Sequence, residues 1–415
     1  MGENSENGDI LDLLQRAKEA QKIIANLKDA LRNEVLNAMA EAIVANQSAI
    51  LSANQIDIKN AHNSGLPAPM IARLTLDSTQ INTIAQAIRD IARLKSPLGR
   101  IIDGWENYKG LKIQKVSVPI GVIAMIYESR PNVTSDSAAL CFKSGNVCIL
   151  KGGKEALHSN KAIVAVLNDI LARFNLPKEA ICFIDNRKAT ESLLKCDKLI
   201  DLVIPRGGEK LIRFVGENST IPVIKHDKGV CHLYIHSDSD AQSAIKIALN
   251  TKISKPSACN SIECILVHRD FAHLAELISA LQNKDVEIRA YGEIAKRFAL
   301  QNAAEADFYS EYNDLVVNLK CVTCVEEAIA HIAKYGSSHS EAILTNDLAV
   351  AEKFANEVDS ACVFVNTSTR FCDGGEFGFG AEIGISTSKL HARGPMGIES
   401  LVSYKYKIFG NGEVR

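Results

Sequence analysis

Apolar positions recur at helical spacing through the first hundred residues: Ile10, Leu13, Leu14 and Ala17, then Leu31, Val35, Leu36, Met39 and Ile43. That spacing predicts amphipathic helices forming an outer layer. The stretch LTLDSTQINTIAQAIRDIARL repeats the pattern, with Ser78 and Thr79 as its candidate caps. After Pro97 the period changes. IIDGWENYKGLKIQKVSVP alternates apolar and polar residues about a Gly-containing turn, which predicts a two-stranded ribbon. Short apolar runs then alternate with helical segments. GVIAMIY, NVCILK, AICFID and LIDLVIP read as strands, SDSAALCFKSG and ALHSNKAIVAVLNDILARF as helices. A second such stretch begins near Cys231. Its strands are HLYIH, SIECILVH, LVVNLK, EAILTN and CVFVN, and its helices AQSAIKIALNTK and FAHLAELISALQNK. This alternation predicts an α/β fold of βαβ units with mainly parallel sheets buried on both faces. The tail, LVSYKYKIFG, alternates again and is a candidate partner for the ribbon near residue 110. There is no internal repeat and no low-complexity tract.

Length and composition narrow the class. At 415 residues the chain suggests about two to four folding units. It is 47% hydrophobic and 23% charged, enough apolar material for a core. Lys+Arg 47 against Asp+Glu 49 gives a net charge of -2, with no basic excess to neutralise a phosphate backbone, so nucleic acid is not an expected partner. No run reaches the roughly 18–20 apolar residues of a membrane helix. The N-terminal MGENSENGDILDLL is acidic and polar, unlike a signal peptide. The eleven cysteines are odd in number and several, such as Cys141, Cys148, Cys182 and Cys264, sit inside apolar runs. That usage fits a reducing compartment and predicts a cytoplasmic, multi-domain protein.

Several segments could carry chemistry. In KISKPSACNSIECILVH, Cys259 lies in a polar, Pro-containing loop before a buried strand, between small neighbours that leave its sulfur accessible. A thiolate there can attack a carbonyl; a buried structural cysteine is the bland reading. Cys321-Val-Thr-Cys324 resembles a metal or redox pair, but zinc wants four ligands and no second pair follows, so coincidence is the expectation. Arg206-Gly207-Gly208 follows a strand and opens a helix, where backbone N–H groups can meet a phosphate, though Gly-Gly is also an ordinary turn. Lys151 and Lys154 flank two glycines at the carboxyl end of a strand, where α/β sheets bind ligands; a solvated basic turn reads the same way. At YESRPNVTSDSA, Asn132 could donate to an oxyanion and Arg130 could hold an anion, or the segment could simply cap a helix. The cluster Ser337-Ser338-His339-Ser340 and the Gly-rich stretch TRFCDGGEFGFGAEIGIST suggest binding loops or tight turns.

Together these segments resemble the aldehyde dehydrogenase superfamily and, more closely, its gamma-glutamyl phosphate reductases (glutamate-5-semialdehyde dehydrogenases). The most specific part is VTCVEEAIAHIAKYGSSHSEAI, residues 322–343, which is similar to that family's signature. VPIGVIAMIYESRPNVT, KPSACNS, and the segment from FCDGGEFGFGAEIGIST through KLHARGPMG resemble its other blocks.

The resemblance implies an aldehyde dehydrogenase-like fold. A Rossmann-like NADP-binding domain would comprise residues 1–101 and 121–230, and an α/β catalytic domain residues 231–395. A small oligomerisation ribbon would comprise 102–120 and 396–415. It implies NADPH-dependent reduction of L-glutamyl 5-phosphate to L-glutamate 5-semialdehyde and phosphate through a cysteine thioester, in proline biosynthesis. Cys259 matches the nucleophile, and Asn132 is the candidate oxyanion donor. By position, Lys151 would hold the adenosine ribose, and Arg206, Gly207 and Gly208 the pyrophosphate. Glu311 would reach the nicotinamide ribose. Where many NAD-using relatives carry Glu, this chain has Lys154, whose charge favours a 2′-phosphate and hence NADP(H). Arg130, His339, Ser368, Thr369 and Arg393 are candidate substrate contacts. The resemblance also implies a homo-oligomer, and the lability of an acyl phosphate makes glutamate 5-kinase, its source, a candidate transient partner. No metal is implied.

One departure from the wider superfamily is informative. Where hydrolytic members carry a Glu base, this chain has HDKGVCH, residues 226–232. Without a base to activate water, a thioester would not be hydrolysed to the acid. Two other readings remain at this level: an ordinary aldehyde dehydrogenase yielding a free acid, and a non-catalytic nucleotide-binding protein that keeps the fold.

Overall fold

The computed structural model describes residues 2–185, 189–225 and 228–415. Contacts divide the chain into two compact units. The first comprises Met1–Lys225, Gly378–Gly384 and Met396–Arg415, the second His226–Phe377 and Ile385–Pro395.

In the first unit a four-stranded parallel sheet runs in the order Ile181–Phe183, Val147–Lys151, Val122–Tyr127, Leu202–Arg206. All six residues of Val122–Tyr127 are buried, as expected of a strand with helices on both faces. The strand order reverses beside Val122–Tyr127, so the carboxyl ends of that strand and of Leu202–Arg206 flank a topological switch point, the usual ligand crevice of an open α/β sheet. The N-terminal helix Gly2–Ala25 is more than an outer layer, since Leu14, Ala17 and Ala20 join the core under this sheet. In the helix Ser78–Arg93, Ile81, Ile84, Ala85, Ile88, Ile91 and Ala92 form the buried stripe. Its cap is Asp77, not Ser78 or Thr79: the Asp77 carboxylate accepts from the Gln80 N–H while the Gln80 side chain accepts from the Asp77 N–H.

The ribbon forms as expected and gains the tail. Ile101–Glu106 pairs antiparallel with Lys112–Pro119, and Val402–Phe409 pairs with the other edge from Val402↔Pro119 to Phe409↔Lys112.

The second unit holds a seven-stranded, all-parallel sheet. Its order is Gln301–Asn302, Glu287–Ala290, Val316–Val322, Ile262–His268, Cys231–Ile235, Ser340–Leu344, Cys362–Val365. The first two of these carry too short and polar a pattern to read as strands. Among the described residues no helix is long and apolar enough to cross a membrane.

Candidate functional site

The predicted site residues fall into two groups, one in each unit.

In the second unit, Cys259 lies in the loop between the helix Ala241–Ile253 and the strand Ile262–His268, at the amino end of the sheet. Its residue is half-buried. The neck of the loop is closed by side chains. Lys252 Nζ donates to Ile262 O at 3.0 Å and to Glu263 Oε2 at 2.7 Å, and Ser261 Oγ donates to Thr251 O at 3.1 Å. Both members of the Lys252–Glu263 pair are buried. Burial pushes the Glu263 carboxyl up to about 7 and the Lys252 ammonium down, while their attraction opposes both shifts. The loop is also pinned from outside. Thr369 Oγ1 donates to Asn260 O at 2.6 Å, Asn260 Nδ2 donates to Cys372 O at 2.9 Å, and the Cys231 thiol donates to Cys259 O at 3.2 Å.

The amino ends of neighbouring strands gather around this loop. Gly229 approaches so closely that a Cβ on it would stand 2.1 Å from Cys259 O and 2.7 Å from its Cα. The Val230 N–H donates to Ser337 Oγ at 2.9 Å, and the Cys362 N–H to His339 O at 3.0 Å. His339 is fully buried, with Nδ1 2.8 Å from Ser340 Oγ and 3.8 Å from Cys231 Sγ. Ser338 beside it holds a left-handed φ of 57°, a strained conformation for a residue with a Cβ. The hydroxyls of Ser368 and Thr369 point inward, to Asn250 Oδ1 at 2.6 Å and to Asn260 O. Arg393 pairs with Asp359 at 2.8 Å. Glu311 sits in the loop before Val316–Val322. Cys321 ends inside that strand and Cys324 caps the next helix, and no metal-competent cluster among the described residues includes either. His226 and Asp227 of the HDKGVCH stretch lie outside the described residues.

In the first unit, the remaining predicted residues meet at the carboxyl edge of the sheet. Arg206 closes its strand, Gly207 and Gly208 follow, and the helix Glu209–Asn218 opens at once. Gly208 N–H already holds an anion: the Glu128 carboxylate accepts it at 3.0 Å. A Cβ on Gly207 would stand 2.7 Å from Glu128 Cδ and 2.8 Å from Leu211 Cδ2, so a side chain there would have to push these two side chains aside. Lys151 is buried and donates to Gly152 O at 3.0 Å, while Lys154 is exposed in the turn Lys154–Ala156.

A cleft of about 140 Å³ opens beside this edge, lined by Arg130, Asn132, Asp136, Arg206 and Glu382 among others. Arg206 pairs with Glu382 at 3.0 Å. Asn132, exposed in the first turn of the helix Pro131–Lys143, donates to Asp136 Oδ2 at 3.1 Å. Asp136 Oδ1 is shielded from water and has no hydrogen-bond partner. Burial pushes its carboxyl up to about 6, against the bonds from Asn132 and Ser135.

That shift has a sign. The fold disfavours the ionised carboxylate, so stability falls as pH rises from about 4 to about 6, and the deficit is complete above that window. Asp136→Asn keeps the acceptor for Asn132 and removes the charge. The variant should therefore exceed the parent by up to about 3 kcal/mol above pH 7. The advantage should vanish near pH 4, as read by urea unfolding across the range. An advantage independent of pH would contradict the assignment.

Sequence reasoning missed Gly229, Asp136, Glu128 and the Lys252–Glu263 clasp. A glutamate inside the apolar run SIECILVH was the available signal for the last. Gly229 gave none, because its role is a contact with a segment thirty residues away.

The aldehyde dehydrogenase family profile matches residues 3–298. The gamma-glutamyl phosphate reductase of Wolinella succinogenes is 54% identical over 408 residues, covering 97% of this chain and 99% of the relative. That of Nautilia profundicola is 51% identical over the same length and shares. The crystal structure of gamma-glutamyl phosphate reductase from Thermotoga maritima superposes with a TM-score of 0.96 at 40% identity, covering 98% of this chain and 99% of that one.

Proposed function

The chain belongs to the aldehyde dehydrogenase family and, within it, to the gamma-glutamyl phosphate reductases, and we propose that it reduces L-glutamyl 5-phosphate to L-glutamate 5-semialdehyde and phosphate. This would be a step of proline biosynthesis, with NADPH as the reductant. The observation that carries the proposal is the clasped loop that presents Cys259 beside Gly229.

The Cys259 thiolate attacks the acyl carbon, the C–O bond to phosphate breaks, and a thioester forms. A bound nicotinamide dinucleotide would supply the hydride that reduces this thioester. The resulting thiohemiacetal collapses to aldehyde and regenerates the thiolate. Asn132 is assigned the oxyanion contact, while Arg130, His339, Ser368, Thr369 and Arg393 are assigned to the substrate. The Thr369 hydroxyl acts through the Cys259 loop it holds, whereas the Ser368 hydroxyl holds Asn250 of the preceding helix. The absence of a Glu in HDKGVCH leaves the thioester without a base to activate water there, in keeping with a phosphate-linked product.

The first unit's switch point suits a dinucleotide. Gly207 leaves room for a pyrophosphate, Gly208 N–H can donate to an anion, and the Glu128 carboxylate stands where that anion would lie. Lys151 is assigned the adenosine ribose, Lys154 the 2′-phosphate, and Glu311 of the second unit the nicotinamide ribose. Lys154→Glu should lower the NADPH-to-NADH ratio of kcat/KM by about 10- to 100-fold, the worth of one charge-assisted contact. An unchanged ratio would refute the cofactor assignment.

The ribbon displays Ile101, Ile102, Trp105, Tyr406, Ile408 and Phe409 to solvent, apolar area that supports assembly into a homo-oligomer. We place the enzyme in the cytoplasm and glutamate 5-kinase as its transient partner.

The direct test supplies glutamate 5-semialdehyde, inorganic phosphate and NADP and follows nicotinamide reduction. Reduction that requires phosphate is the expected result. Phosphate-independent reduction with accumulation of free glutamate would identify a hydrolytic aldehyde dehydrogenase instead.

A further inference from the structure

Inside the hydrophobic core of the second unit lies a polar group that the proposed reaction does not use. His232 in the strand Cys231–Ile235, Cys264 in Ile262–His268 and His331 in the helix Val325–Tyr335 are all buried. One ligating atom from each lies within 4.8 Å of the other two. Cys264 Sγ is 3.8 Å from His331 Nε2, and the two imidazoles cross edge-on with centroids 5.4 Å apart. Around them pack Leu266, Phe308, Val322 and Ile332.

Two observations set this group apart from an ordinary polar inclusion. The first concerns satisfaction. His232 Nδ1 is engaged by Glu341 Oε2 at 3.0 Å, which leaves Nε2 as its remaining ligand atom, and that atom is buried without a partner. A buried nitrogen left unpaired costs roughly 1–3 kcal/mol. The second concerns charge. Glu341 is fully buried, and among the described residues its only ion-pair partner is His232; no lysine or arginine reaches it. A carboxylate in a core needs a cation or a proton.

We propose that His232, Cys264 and His331 form a buried binding site for a soft d10 metal ion, Zn(II) or Cu(I), with Glu341 orienting His232 from behind. Cys264 binds as the thiolate and releases its proton on metal entry. For a divalent ion, the Cys264 thiolate and the Glu341 carboxylate then cancel the charge, leaving the core neutral. The 3.8 Å sulfur–nitrogen separation is close to the about 3.5 Å expected between thiolate and imidazole ligands of a tetrahedral ion. A carboxylate behind a ligating histidine is the usual outer partner of such sites. Two imidazoles and one thiolate suit a three-coordinate Cu(I) or a Zn(II) with a further position. The ion would tie two central strands to the helix that covers them, a structural role independent of the Cys259 chemistry.

The test uses the full chain carrying Cys259→Ser, which removes one of the four half-buried thiols, Cys196, Cys259, Cys321 and Cys324, as a competing ligand, and the Cys264→Val comparison separates the core site from the other three. It is produced with zinc, copper or cobalt(II) supplied in turn, and elemental analysis is combined with the visible and near-ultraviolet spectrum of the cobalt form. About one ion per chain is expected, together with a thiolate-to-cobalt band. Zinc or copper stoichiometry then identifies the ion. Adding Cys264→Val should abolish both ion and band, and chelation should lower the unfolding temperature of the parent but not of this variant. A natively folded Cys259→Ser chain with neither ion nor band overturns the proposal, as does full metal retention in Cys264→Val. If Cys264→Val does not fold, His331→Gln serves in its place.

Discussion

Cys259→Ala is expected to lower turnover by on the order of 10⁴-fold or more, the usual scale for losing a covalent nucleophile. NADPH affinity should be unchanged. The separation follows from where the groups lie. Cys259 is in the second unit, whereas Gly207, Gly208, Lys151 and Lys154 are in the first. Truncating the thiol also leaves the loop's supports in place. The Lys252 clasp, the Ser261–Thr251 bond and the Thr369–Asn260 bond involve other residues, and the Cys231 thiol reaches the backbone carbonyl at 259 and not its sulfur. The variant should therefore fold and bind cofactor but not turn over, which steady-state kinetics and a nicotinamide fluorescence titration read separately. Appreciable residual activity would remove Cys259 from the mechanism.

The second large effect is expected at Gly229. An alanine Cβ there would lie 2.1 Å from Cys259 O, well inside contact distance. The atoms it meets are backbone, so no side-chain rotation relieves the clash. Either the strand entry at Val230 or the Cys259 loop must move. The loop is held at its neck by buried groups, so the displacement falls on the residues that present the sulfur. A shift of about 1 Å at a reacting atom costs about 10²-fold or more in rate. Gly229→Ala should thus lose at least that much kcat, with unchanged affinity for NADPH. A serine at position 229 should do no better, because the obstruction is the Cβ itself. Wild-type kcat in Gly229→Ala would show that the loop is not held as described.

Much of the architecture was legible in the sequence because burial on both faces writes itself as continuous apolar runs. VIAMIY, VCILK and CILVH became strands for that reason, and the alternating LVSYKYKIF pairs with the ribbon as a strand exposed on both faces. The strands Glu287–Ala290 and Gln301–Asn302 were not legible, since four and two mixed residues carry no period.

The site was legible where chemistry is local. A cysteine between small residues in a polar loop, and paired glycines after a strand, are short-range signals. What could not be read is what distant segments bring together. The position of Gly229 against Cys259, and the meeting of His232, Cys264 and His331, exist only once the parallel sheet sets neighbouring strands side by side. The location of Cys259 also runs against the common rule. It lies at the amino end of its sheet, whereas the first unit's predicted residues gather at the carboxyl end.

The most direct measurement is intact-protein mass spectrometry of a single turnover quenched in acid, with glutamyl 5-phosphate generated in place and reductant withheld. The account predicts a covalent glutamyl adduct that maps to the peptide containing Cys259 and disappears when NADPH is added. An enzyme that is active under the same conditions yet carries no adduct on that cysteine would contradict it.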